Sequence, residues 1–217
     1  MVSLITEGSA FDAKGRPFKR RNYLPGLVAL AVLALLTTVV WAIALSQTEE
    51  VAVATPCNPP PPPADGTPAV PLGEQVPRST MVDVMPARLL DTKVRVLNAS
   101  GEGGQAAEVA GSLKEMGFAP PTAANDDRYA NSRLNCQGQI RFGATGQAAA
   151  ATVWTVAPCF ELIRDDRPDD TVDLALGTQF EALADSDDVD AVLAALAPES
   201  ATPVDPALIR DIHSSPC

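Results

Sequence analysis

The sequence is poor in the residues that most enzymes and nucleic-acid binders need. Aromatic residues make up 5% of its 217 positions, which limits the folded core to a modest size. It has one histidine, His213, close to the C-terminus. A Ser-His-Asp set would have to use that residue, so nucleophilic catalysis of this kind is not indicated, and His213 is expected to be a solvent-exposed tail residue. No two cysteines have C-x2–4-C spacing, which argues against structural zinc and leaves no metal or cofactor expected. Basic residues number 16 against 27 acidic ones, for a net charge of −11, which argues against a nucleic-acid partner. No G-x-x-x-x-G-K-[ST] phosphate loop is present.

The charge is unevenly distributed. Residues 1–23 carry a net +3 and the remainder −14. Between the two lies Leu24 to Leu45, LPGLVALAVLALLTTVVWAIAL, without a charged residue. A helix of that length spans roughly 30 Å, the hydrocarbon thickness of a bilayer. Trp41 stands near one end, where amphipathic rings favour the interface. Arg20 and Arg21 precede the run, and Glu49 and Glu50 follow it. The positive-inside rule then places 1–23 in the cytoplasm as a basic leader, 24–45 across the cell membrane in a single pass, and 46–217 outside. A cleaved signal peptide is the alternative: Ala42-Ile43-Ala44 is a small-x-small pattern, though the run is long for an h-region.

Residues 46–81 read as a linker. Proline is dense from Thr55 to Pro77, with Pro59 to Pro63 in one run. Such a run favours extended polyproline II and suggests a semi-rigid spacer. The folded domain is expected over 82–217. Val94 and Val96 alternate with Arg95, predicting a strand over Lys93–Leu97 that stops at Asn98–Gly104. Ala106, Val109, Ala110, Leu113 and Met116 recur at helical spacing, and Gly117 is placed to end that helix. A second strand is expected from Phe118 onward. Further strands are predicted at Gln139–Phe142, Phe160–Ile163 and Val172–Leu176, with helices at Gln147–Val156 and Asp188–Leu196. The proline-punctuated tail from Ser200 is expected to wrap the domain.

Four cysteines follow the apolar run: Cys57, Cys136, Cys159 and Cys217. Outside the cell an even number reads as disulfides, with three possible connectivities. The favoured one joins Cys136 to Cys159 across the alanine-rich helix and Cys57 to Cys217.

The aspartate pairs Asp126-Asp127, Asp165-Asp166 and Asp169-Asp170 are spaced for solvated loops, since adjacent strand residues point to opposite faces. The run from Asp185 fails as a calcium loop, with Asp190 where glycine is needed and Leu196 where a bidentate glutamate is needed. This leaves the glycine-rich corner. Gly101, Gly103 and Gly104 expose backbone N–H groups at a helix N-terminus, which suits an anion or a hydroxyl-rich ligand. Glu102 would repel a phosphate. A plain strand-to-helix turn capped by Asn98 or Ser100 is the competing reading. The candidate ligand-binding residues are therefore Asn98, Ser100, Gly101, Gly103 and Gly104, with no catalytic residue assigned.

"VRVLNASGEGGQAAEVAGSLKEMGF" (Val94–Phe118) resembles the opening of the LytR C-terminal domain family, with Asn98, Gly104, Ala106, Val109, Leu113, Gly117 and Phe118 at matching places. "IRFGATGQAAAATV" and "TVDLALGTQFEAL" resemble its later segments, with Gly177 and Phe180 matching. The leader, "ITEGSAFDAKGRPFKRRNYLP", is similar to that of actinobacterial envelope integrity proteins, which have one membrane helix, a proline-rich link and a lone domain of this kind. The resemblance implies a small two-layer α/β domain with a mixed sheet, stapled by disulfides. It also implies a non-enzymatic role in envelope integrity, through binding a cell-wall polymer or an envelope-biogenesis membrane protein. In larger relatives this domain follows a LytR-CpsA-Psr catalytic domain. Residues 46–90 are too short and proline-rich to hold one, so polymer transfer is not implied.

Overall fold

The computed structural model describes residues 23–47, 55–62, 71–215 and 217, and the chain divides into two units, 1–50 and 51–217. In the first unit, helix α1 (Leu24–Gln47) is apolar on every face and its Leu24–Trp41 window has no buried side chain. That is the profile of a helix solvated by lipid. Its two threonines donate their hydroxyls back along the helix, Thr37 to the Leu33 carbonyl at 2.8 Å and Thr38 to the Ala34 carbonyl at 3.0 Å. Neither hydroxyl therefore meets hydrocarbon unsatisfied.

The second unit contains β1 (Glu74–Gln75), α2 (Arg78–Met81), β2 (Val94–Asn98), α3 (Gln105–Glu115), β3 (Thr122–Asn125) and β4 (Gly138–Phe142). These are followed by α4 (Gln147–Val156), β5 (Glu161–Arg164), β6 (Val172–Leu176), α5 (Asp187–Leu196) and α6 (Pro206–Ser214). The strands form one mixed sheet in the order β1-β5-β4-β6-β2-β3. β6, β2 and β3 run parallel, as do β4 and β5, while β4 meets β6 antiparallel. Alternation decides which residues face the helices. Val94, Val96, Ile140, Phe142, Leu162, Leu174 and Leu176 share one core with Leu113 of α3, Trp154 of α4, Val192 of α5 and Ile212 of α6. The result is the two-layer α/β arrangement with the helical layer on one sheet face.

The other sheet face is polar but not wet. Gln139 and Arg141 of β4 and Asp173 of β6 are 1–3% exposed. A second, smaller cluster of Leu97, Ala99, Tyr129, Leu134, Cys136 and Ala175 lies on this side. Asp173 accepts from Arg95 Nε and Nη2 at 2.8 Å each and from Arg167 Nη2 at 2.8 Å. Burial alone would raise the Asp173 carboxyl, but the bonds from Arg95 and Arg167 outweigh it and hold it below the usual carboxylate range.

Several expectations are corrected here. The disulfides are Cys57–Cys136 and Cys159–Cys217, not Cys136–Cys159 and Cys57–Cys217. The cause is the path of the proline-rich segment. Residues 55–62 do not stand away from the domain but lie on it. Cys57 N donates to Glu161 Oε1 at 2.8 Å, Tyr129 Oη to the Asn58 carbonyl at 2.7 Å, and Asn135 N to Asn58 Oδ1 at 2.6 Å. The folded unit also takes in residues assigned to the linker: β1 pairs with β5, and Met81 is 1% exposed. Pro63 to Val70 lie outside the described residues. Phe118 enters the core, and the strand expected there begins only at Thr122, after Pro120 and Pro121, which cannot donate to a ladder. The tail is not merely a wrap. It forms α6, with Pro206 in the first turn and Asp205 accepting from Ala207 N at 2.8 Å. His213 is not exposed: its ring stacks on Trp154 with centroids 3.4 Å apart.

Candidate functional site

The Asn98–Gly104 corner joins the carboxyl end of β2 to α3, and its polar side chains are occupied in holding it. Asn98 Oδ1 accepts from Ser100 N at 3.2 Å, Ser100 Oγ at 3.0 Å and Gly101 N at 3.1 Å. Asn98 Nδ2 donates to the Glu102 carbonyl at 2.5 Å. Ser100 is 1% exposed, lies 2.7 Å from Gln105 Oε1, and accepts from Glu102 N at 3.1 Å. Gly104, the residue before α3, has φ +86°, where only glycine is comfortable. The turn that precedes the helix is thus built from Asn98, Ser100 and Gly104 together. No side chain caps α3.

What the corner does provide is one wall of an open depression of about 710 Å³ at the carboxyl ends of the parallel strands β2 and β3. Asn98, Gly101 and Gly103 of the five candidates reach it, whereas Ser100 and Gly104 do not line it. Ala99, Asp126 and Tyr129 are each 3% exposed and form its base. The opposite wall comes from the end of β3 and the loop after it, with Asn125, Asp127, Asn131 and Arg133. Arg133 crosses to the corner: a Cβ on Gly101 would stand 3.1 Å from its Nε. Beneath the base, Arg141 Nη2 is 2.8 Å from Asp126 Oδ2, and Arg141 lies 5.7 Å from the Tyr129 ring centroid. In open α/β sheets, ligands bind at this end of the strands.

Sequence reasoning found one wall and missed the other. The "NDDRYANSRLNC" stretch (Asn125–Cys136) is dense in amides and charges. Its aspartates were weighed only as an acid pair, because nothing local shows that β3 returns it beside β2. Electrostatically the depression is mixed. Asp126 and Asp127 face Arg133, and Glu102 stands at the neighbouring turn, so no net positive field gathers there. Among the described residues, no group of three His, Cys, Asp or Glu side chains is placed to hold one metal ion.

The fold and this depression define an α/β envelope-type domain carried beside a single apolar helix. The family model for the LytR cell envelope-related transcriptional attenuator domain (LytR_C) matches residues 91–180, which include both walls. Over its full length the chain is 59% identical to the cell envelope integrity protein Cei of Mycobacterium tuberculosis, covering 100% of both chains. It is also similar to the crystal structure of the soluble domain of a conserved hypothetical secreted protein from Mycobacterium marinum. There the identity is 64%, with 68% of this chain and 100% of that chain covered and a TM-score of 0.67. The chain belongs to the Cei family of cell envelope integrity proteins.

Proposed function

We propose that the protein is a bitopic envelope protein that holds a hydroxyl-rich cell-wall polymer in the depression between the Asn98–Gly104 corner and the Asn125–Arg133 wall. Residues 1–23 are cytoplasmic, α1 is the membrane anchor, residues from about 46 form the short link, and the remainder lies outside. The charge step across α1 supports that orientation. So do two disulfides, which persist in oxidising compartments.

The observation that carries the ligand class is the contrast between the two walls. Asn98 and Ser100 are committed to the turn. Asn125, Asp127, Asn131 and Arg133 line the depression with side chains that bond to no other described residue. Amide, carboxylate and guanidinium groups together offer both donors and acceptors, which match paired hydroxyls better than a phosphate. In this reading Gly101 and Gly103 let the ligand approach the backbone. The protein acts by binding and not by turnover: its four cysteines are paired, and its one histidine is stacked away from the depression.

Co-sedimentation of the full-length protein, in nanodiscs, with purified insoluble cell wall tests this. Asn131→Ala with Arg133→Ala should remove most of the sedimenting fraction while leaving the thermal midpoint unchanged. Undiminished sedimentation by that variant would contradict the proposal.

A further inference from the structure

A different surface runs along α3, on the other side of the corner. Two depressions, of about 500 and 590 Å³, meet at Ser112 and Met116. Their floor is apolar: Val109, Phe180 and Leu183 in the first, Leu89 and Leu193 in the second, with Met116 common to both. Their rim is acidic. Glu102, Glu108, Glu181 and Asp185 line the first, and Glu115 and Asp190 the second; no lysine, arginine or histidine lines either.

These six carboxylates are treated differently from others in the protein. Glu74, Asp83, Asp126, Asp165, Asp170 and Asp173 each have an arginine or lysine partner. None of the six groove acids has one. Helix dipoles account for Glu108 and Asp190, which lie in the first turns of α3 and α5. They do not account for Glu115, at the C-terminal end of α3 where a negative charge is disfavoured, nor for Glu102, Glu181 and Asp185. The carboxylates are spread along the groove and do not converge on one ion. A second copy is a poor occupant, because residues 46–217 carry −14 and would repel it.

We infer that this groove docks a cationic amphipathic peptide segment of a partner protein. Its Lys or Arg side chains would meet the rim while apolar residues on its opposite face fill the floor. The inference is independent of polymer binding, and the two surfaces touch only at Gly103, which lines both the polymer depression and the groove.

The test uses full-length protein in phosphatidylcholine nanodiscs and a short fluorescent Lys–Leu amphipathic helical peptide, with empty nanodiscs as the blank. A scrambled peptide of the same composition, without a segregated apolar face, is the specificity control. The triple variant Glu108→Gln, Glu181→Gln, Asp190→Asn should weaken peptide binding by about 10-fold, since three exposed charge contacts of up to about 1 kcal/mol each are lost. Neutralising Asp166, Glu199 and Asp211, all exposed and outside the groove, should change it less than about 2-fold. Thermal melting of both variants confirms that the fold is kept. Equal weakening by the two triples, or equal affinity for the scrambled peptide, would reduce the effect to bulk charge attraction and overturn the inference. Self-association abolished by the groove triple would give the groove to a second copy and overturn it as well.

Discussion

Arg141 of β4 places Nη2 2.8 Å from Asp126 Oδ2, with the two side chains only 1% and 2% exposed. The contact is an ion pair lacking the alignment of a hydrogen bond at Oδ2, while Asp126 Oδ1 accepts from Arg128 N at 3.0 Å. Arg141 also donates to Gln139 Oε1 through Nε at 3.1 Å and Nη2 at 2.9 Å. The pair ties the base of the depression to the central sheet. Removing one member leaves a buried charge without its partner. Arg141→Met and Asp126→Asn should each cost about 3–5 kcal/mol in denaturant unfolding. The double variant should cost less than the sum of the two, because its members lose the same contact.

The disulfide Cys57–Cys136 closes a loop with a sequence separation of 79 residues, and Cys159–Cys217 one of 58. On the chain-entropy model each stabilises the fold by about 4 kcal/mol. Non-reducing peptide mapping should recover these two pairs alone. Cys57→Ser with Cys136→Ser should lower the thermal midpoint and expose residues 55–62 to protease, since their other ties to the domain are a few hydrogen bonds.

Burial first, and then the nearby Arg78 guanidinium, push the His213 imidazole down to about 3 from its ordinary 6.5. The unfolded chain therefore holds the proton in the window between those values, and the folded chain does not. The contribution is fully present above pH 6.5 and is lost as pH falls toward 3. Asp165 and Asp173, both held below 3.8, begin to matter only beneath that value. The thermal midpoint should fall between pH 7 and pH 5. His213→Phe, which keeps a ring against Trp154 without a proton to bind, should flatten that fall. Identical slopes for the two proteins would contradict the assignment.

The corner separates structural from ligand-facing glycines. Gly104→Ala forces a Cβ into φ +86° and should cost about 1 kcal/mol. Gly103 has ordinary φ, and a Cβ there has nothing within 4 Å, so Gly103→Ala should leave stability unchanged. Asn98→Ala removes the acceptor of three hydrogen bonds and should destabilise by about 1–3 kcal/mol, measured by urea unfolding.

Much of this was legible because periodicity reports burial. The alternation of Val94 and Val96 with Arg95, and the helical spacing of Ala106 to Leu113, place β2 and α3 within a residue or two. The matched Gly177 has its physical reason in the structure: a Cβ there would lie 2.1 Å from the Cys136 carbonyl oxygen. What escaped was long-range. β1 has two residues and exists through its pairing with β5. Asn58 reads as a linker residue until Tyr129 and Asn135 bond to it. Arg141 and Asp173 read as solvent-facing strand residues, and only the cover supplied by distant loops buries them. The second wall of the depression was hidden for the same reason.

The most direct test is an NMR titration of oxidised, isotopically labelled residues 55–217 with defined peptidoglycan and arabinogalactan fragments. Saturable shifts confined to Asn98, Gly101, Gly103, Asn125, Asn131 and Arg133 are the predicted result. The absence of shifts at those residues at saturating fragment concentration would return the corner to a plain strand-to-helix turn and contradict polymer binding.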